Sequence, residues 1–232
     1  MTADASNLPG QAEPAAALRG FGPLGIIAIL VILFSGNIFV GKVVVPAGAI
    51  LVLAWMRWSR TPWRDIGYVR PRSWIAAVAA GVAFGVAFKF AMKALVMPLL
   101  GADPVNQAYH YLAGNRAMLP AAIWAMFAAG FGEETVFRGW FFERFGKIFG
   151  SSVAAKVAVV LITSAWFGIS HYAVQGLSGT EQATIVGLVF GTIFAFAGRL
   201  FKLMCAHTAF DLTALAMIYW DVETDVAHLV FK

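Results

Sequence analysis

The chain of 232 residues is 60% hydrophobic and 12% charged, with a net charge of +5 and a mean hydropathy of +0.77. Soluble domains carry about a quarter charged residues, so the composition excludes an ordinary soluble protein and points to one polytopic membrane bundle. The basic residues gather in short stretches between apolar runs, which argues against a nucleic-acid surface, and the single cysteine, Cys205, excludes a disulfide framework or a thiolate metal cluster.

Residues 1–22 read as a disordered cytosolic tail, because Asp4, Pro9, Glu13 and Pro14 leave no apolar core and the basic start of a signal peptide is lacking. Apolar runs able to cross ~30 Å of hydrocarbon follow at 24–41, 43–58, 74–100, 119–142, 153–172, 183–198 and 203–220, the second and sixth being short. The expected fold is an all-α transmembrane bundle of about seven spans over 23–220, with its motif core at 119–220 and a C-terminal tail at 221–232. Between the second and third runs, Arg57, Arg60, Arg64, Arg70 and Arg72 oppose one acid, Asp65, which makes this connector cytoplasmic. Propagated from it, the N-terminus, Arg144, Lys147, Lys156, Arg199 and Lys202 lie inside. Stretches 101–118 and 173–182 and the C-terminal segment lie outside. Gly81-x-x-x-Gly85 and Gly187-x-x-x-Gly191 have the spacing of close helix crossings, but glycine is common in membrane helices and the spacing alone does not require one.

The fourth run contains Gly132-Glu133-Glu134-Thr135-Val136-Phe137-Arg138-Gly139-Trp140. A charge at membrane depth costs at least ~2.5–3.5 kcal/mol, so it needs a partner and usually a function. Glu134 and Arg138 stand i,i+4 with the acid first, the favourable order for a pair. Glu133 is turned about 100° from Glu134 and has no such neighbour. One carboxylate is thus structural and the other is left for chemistry. The fifth run ends its Phe167-Gly168-Ile169-Ser170-His171 segment on a histidine, and in the seventh run His207 and Asp211 share one helix face. Two histidines and three carboxylates from three spans can activate water and steady an oxyanion. The same set can hold a divalent metal with a position open for water. The plainer alternatives are a buried ion cluster, an interfacial histidine and a helix-stabilising His–Asp pair. His110 and His228 read as solvated, and Cys205 as buried and inert.

Glu-Glu-x-x-x-Arg, then Phe-x-x-x-His, then His-x-x-x-Asp, in order over residues 131–211, resembles the CPBP (Abi) family of intramembrane proteases, which includes CAAX prenyl endopeptidases and bacteriocin-processing proteins. A softer echo is Asp65-Ile66-Gly67-Tyr68-Val69-Arg70-Pro71. The resemblance implies an intramembrane endopeptidase acting on a membrane-associated peptide or protein, and an integral protein of a bacterial inner membrane. It implies that Glu133 and His171 activate the hydrolytic water, that Glu134 and Arg138 support them, and that His207 and position 211 stabilise the oxyanion. In the family's metalloprotease reading, Glu133, His171, His207 and Asp211 would instead bind Zn²⁺ or another divalent metal, with a metal-free mechanism as the other branch. Position 211 is aspartate here where the prenyl proteases typically carry asparagine, and an ionised aspartate cannot donate a hydrogen bond to an oxyanion.

Counting from the cytoplasmic turns puts His207 shallow, Glu133 at mid-depth and His171 near the outer end of its run, offset by ~10 Å per step. Bringing them together requires helices that tilt and start deeper than the apolar runs suggest. Two other classes compete. Gly176-Leu177-Ser178-Gly179 matches the motif of rhomboid serine proteases, but Ser178 and His207 fall ~25–30 Å apart across the bilayer, so these residues read as a loop. A transporter or proton path using the same buried polar residues predicts internal repeats and interrupted helices, and the sequence suggests neither.

Overall fold

The computed structural model describes residues 9–231, so the expectations for residues 1–8 of the tail and for Lys232 lie outside it. Where the sequence suggested an unstructured tail, α1 (Pro9–Arg19) forms and meets α2 (Pro23–Ser35) at a bend of 54° between their apolar parts. Ala15-Ala16-Ala17-Leu18 favours helix, and the helix is docked: Trp55 Nε1 donates to Leu18 O (3.0 Å) and Arg144 Nη1 to Arg19 O (2.9 Å).

The second apolar run does not begin as a helix. Ile38–Val40 (β1) and Val43–Val45 (β2) pair antiparallel with Phe39 opposite Val44, as β-branched residues around a positive-φ Gly41 favour. Pro46 then opens α3 (Ala47–Ser59). Ser73 caps α4 (Trp74–Ala91), accepting from Ala76 N, and this helix continues through a π turn (Met92–Val96) into α5 (Met97–Leu99). α6 (Leu119–Glu133) likewise passes through a π segment (Glu134–Trp140) into α7 (Phe141–Phe149), so the helix expected to end at 142 runs one and a half to two turns further.

Ser152 caps α8 (Val153–Ala197), which is broken at Gly176 (φ 64, ψ −157). The stretch 173–182, expected to be a loop, is therefore helix except at that joint. Its two halves run antiparallel: a Cβ on Gly168 would meet Thr184 Oγ1, and one on Gly187 would lie 2.9 Å from Ser164 Cα. α9 (Phe201–Tyr219) packs against α4 so closely that a Cβ on Gly85 would lie 2.1 Å from Ala206 O and one on Gly81 2.7 Å from Cys205 Cβ. The Gly81-x-x-x-Gly85 spacing thus does serve a close crossing. Met92, Phe167, Phe190, Leu203, Met204 and Phe210 share the main core. The C-terminal tail includes a short helix, α10 (Glu223–Ala227), whose Glu223 is buried against Lys93.

The architecture is all-α apart from the hairpin. Against the seven spans expected, three helices among the described residues are long and apolar enough to cross a bilayer, Trp74–Leu99, Val153–Ala197 and Phe201–Tyr219, with a fourth if the bent α1–α2 pair is one span. The reasons for the smaller number are physical. α3 has 13 residues and reaches only ~20 Å. Glu133 and Glu134, at the junction of α6 with its π segment, lower the hydropathy of that run, and α8 is a single broken helix although its antiparallel halves are each long enough to cross.

Candidate active site

The charged motif sits where α6 widens into its π segment. Such widened turns are frequent at functional sites, because they re-aim side chains that a regular helix would stack. The segment is buttressed from the softer motif: Tyr68 OH and Thr135 Oγ1 are 2.8 Å apart, and a Cβ on Gly139 would lie 2.9 Å from Ile66 O. Glu134 is fully buried, with Oε1 3.0 Å from Arg138 Nη1. The buried Arg138 guanidinium lies over the rings of Phe167 (4.6 Å) and Phe190 (5.7 Å), which supplies cation–π contact.

The sequence anticipated the Glu134–Arg138 pair but not its third member. His207 Nδ1 donates to the same Glu134 Oε1 at 2.8 Å, so the buried carboxylate orients the imidazole. The other ring nitrogen, Nε2, faces Glu133 Oε2 at 3.8 Å and Asp211 Oδ2 at 3.6 Å. Glu133 and Asp211 keep 19% and 22% of their side chains accessible, against 0% for Glu134. The two adjacent glutamates therefore differ as the spacing implied, one sealed in an ion pair and one open.

His171 Nδ1 lies 2.7 Å from Phe167 O, one turn earlier in α8. A carbonyl only accepts, so this contact assigns the proton to Nδ1 and leaves Nε2 as the basic nitrogen. The Phe167 ring separates the two histidines, at 4.7 Å from His171 and 6.0 Å from His207.

The depth offsets vanish for two reasons. With α7 running to Phe149, Glu133 and His171 stand ~24 and ~27 Å from the turn at 150–152, which is nearly level. α9 starts deep. Leu200 N donates to Gly67 O, and Leu200 packs beside Gly139, so Glu133 and His207 are each about two turns from one common level.

Glu133, His171, His207 and Asp211 line one cavity of about 130 Å³. Glu133 and His171 also form the wall of a larger cleft of about 540 Å³, which reaches Phe39 of the hairpin and Trp166. Ser178 lines a neighbouring cavity of about 150 Å³ and not the one that holds His207. His110 and His228 are exposed.

Sequence reasoning does not single out Lys89, Tyr109 or Gln175, which line the same cavity. Lys89 carries the signal that marked Glu133, a charge inside an apolar run. Tyr109 lies in the stretch after α5, and nothing in its sequence context marks it. Gln175 Nε2 donates to Tyr109 OH (3.4 Å), and burial, then the Asp211 and Glu133 carboxylates, push the phenol up to about 12, so it stays a neutral donor.

Of the residues named for a metal, Glu133, His207 and Asp211 approach one another, but not as a ligand set. Among the described residues no three histidine, cysteine or acidic side chains form a set able to hold a metal ion. Glu134 holds His207 Nδ1 and a carbonyl holds His171 Nδ1, which leaves each Nε2 free, so these contacts do not themselves bar a ligand role. With no such set formed, no step is derived through a metal.

Residues 115–213 match a family model described as "Rce1-like: Type II CAAX prenyl endopeptidase Rce1-like". The match covers every motif position from Glu133 to Asp211, so the resemblance to CPBP proteases holds over this segment, and it supports a CAAX-type intramembrane protease. No curated protein and no solved structure matches the chain.

Proposed function

We propose that this chain, whose residues 115–213 carry the Rce1-like match, hydrolyses a peptide bond within or at the edge of the bilayer, with Glu133 as general base. The observation that carries the reading is the contrast between two neighbouring carboxylates: Glu134 is locked between Arg138 and His207, whereas Glu133 opens onto the cavity that His171 also lines. A water there gives its proton to Glu133 as its oxygen attacks the scissile carbonyl. His171 Nε2 is the second acceptor beside that water. His207, acting as an imidazolium with Nδ1–H on Glu134 and Nε2–H toward the cavity, and the Tyr109 hydroxyl stabilise the oxyanion. Collapse of the tetrahedral intermediate returns the proton from Glu133 to the leaving amine.

The substrate is a membrane-associated peptide or protein, and the chain sits in a bacterial inner membrane with a cytoplasmic N-terminus and about seven crossings. Reporter fusions should then place the 57–72 connector inside and the C-terminal segment outside. The function itself is tested by comparing peptide termini of membrane proteins in cells producing the wild type, Glu133→Gln or His171→Ala. New termini should appear with the wild type alone, at equal protein levels. Ion or proton flux in proteoliposomes without new termini would favour the transporter alternative, in which the same buried polar residues form a conduction path.

A further inference from the structure

Two lysines stand one helical turn apart at the end of α4, and the protein treats them differently. Lys93 Nζ is 3.0 Å from Glu223 Oε1 and also donates to Pro104 O. Lys89 is as deeply buried, at 5% exposure, but donates only to Gln182 Oε1 (3.0 Å) and otherwise lies over the Phe210 ring (4.9 Å). Among the described residues it has no carboxylate within ion-pair distance. An ammonium has three donors, and Gln182 uses one. A buried cation without an anion is costly, and inside a membrane protein it marks a ligand path more often than a scaffold.

Position supplies the second observation. Lys89 lines both the 130 Å³ cavity that holds Glu133 and His207 and the adjoining 150 Å³ cavity that reaches Asn106 and Lys93. The 540 Å³ cleft shares Glu133, His171, Tyr109 and Gln175 with the small cavity but not Lys89, and has Phe137, Phe141 and Trp166 among its walls. A peptide crossing between the two spaces would pass its backbone by Glu133 and His171, with an apolar side and a cationic side fixed in advance. We infer that Lys89 binds a carboxylate of the substrate on the small-cavity side of the scissile bond, which sets the direction in which the peptide lies. This rests on the protease reading above and adds a binding role to it. The carboxylate belongs either to a free C-terminus or to an acidic side chain.

The test measures binding rather than turnover, using the full chain in lipid nanodiscs with Glu133→Gln throughout. The probes are dansyl-labelled apolar tetrapeptides: one with a free C-terminus, one amidated, and one amidated with a glutamate as its last residue. Without any change at Lys89, the free acid should bind at least about tenfold tighter than the plain amide, as a charge-assisted contact in a dry site would give. The third peptide identifies the source: binding like the free acid means that a side-chain carboxylate suffices, and binding like the amide means that the terminus is required. Lys89→Arg should keep the preference, and Lys89→Met should bind acid and amide alike. If Lys89→Met does not fold, Lys89→Gln takes its place, and the comparison of acid with amide needs no variant. Equal binding of acid and amide, no binding by any peptide, or an equal loss for both in Lys89→Met would overturn the inference. The last result would reduce Lys89 to balancing the charge of Asp211 across the cavity. Cleavage is read separately with Glu133 restored. Carboxylate-selective binding without cleavage would count against the protease reading and not against Lys89.

Discussion

In the π turn that follows α4, Lys93 donates to Glu223 and to Pro104 O, while Asn106 N reaches both Glu223 oxygens (3.2 and 3.3 Å). In the middle of the bundle, the Glu134–Arg138–His207 cluster is buried as deeply, but Glu134 Oε2, Arg138 Nη2 and the nearby Thr208 Oγ1 have no hydrogen-bond partner. Both regions are ionic and buried. A fully matched buried network rigidifies what it ties together, and the first one pins α10 and the stretch after α5 onto α4. Unmatched buried polar atoms are costly, so the second region keeps an arrangement that stability alone would not select. The difference separates a structural clamp from a working site in one molecule.

The sharpest way to break this contrast is Glu133→Gln. It should lower peptide cleavage by ~10²–10⁴-fold, the usual worth of a positioned general base, with yield and thermal stability unchanged. Full activity in this variant would remove the chemistry from the cluster. Arg138→Ala attacks the same region through folding. It leaves Glu134 as an uncompensated buried charge, a loss of roughly 3–5 kcal/mol that should appear as reduced yield and a lower melting temperature in detergent.

The clamp should respond differently. Glu223→Leu alone strands Lys93 and should destabilise by a few kcal/mol, whereas Lys93→Met with Glu223→Leu should recover to within ~1 kcal/mol of the wild type, because a buried pair is often replaceable by apolar residues. Cleavage should persist in the double variant. A double variant that is stable but inactive would mean that the clamp belongs to the site. The smallest effect is expected at Asp211, which touches His207 Nε2 only at 3.6 Å. Asp211→Asn should change the rate by less than about tenfold; a loss of ~10–100-fold accompanied by sensitivity to chelators would instead mark residue 211 as part of a metal site.

The parts of this site that were legible in the sequence were those whose cost is local. Glu133, Glu134 and Arg138 stand out because charge in an apolar run needs a reason, and the Glu134–Arg138 pair follows from i,i+4 spacing alone. Lys89 obeys the same rule and was equally legible. The Glu134–His207 bond joins residues 73 apart in sequence, and it depends on how deep α9 begins, which is fixed by the Leu200–Gly67 hydrogen bond. Hydropathy carries no information about that depth. The helical course of 173–182 was hidden for a related reason: its polar residues look like a solvated loop, but Gln175, Ser178 and Gln182 lie along the cavities and Thr180 Oγ1 donates to Gly176 O. The β-hairpin was masked because isoleucine and valine suit a membrane helix and a strand equally well.

Gly176 joins the half of α8 that carries His171 to the half that carries Gln182. Its backbone, at φ 64 and ψ −157, lies in a region open essentially only to glycine, yet a Cβ there would meet nothing within 4 Å. An alanine would fit the space and still strain the chain, at a cost of order 1–3 kcal/mol. Tolerance at this position is therefore set by torsion and not by neighbours. A survey that ranks positions by crowding would pass over the joint that decides how the two walls of the cavity face each other.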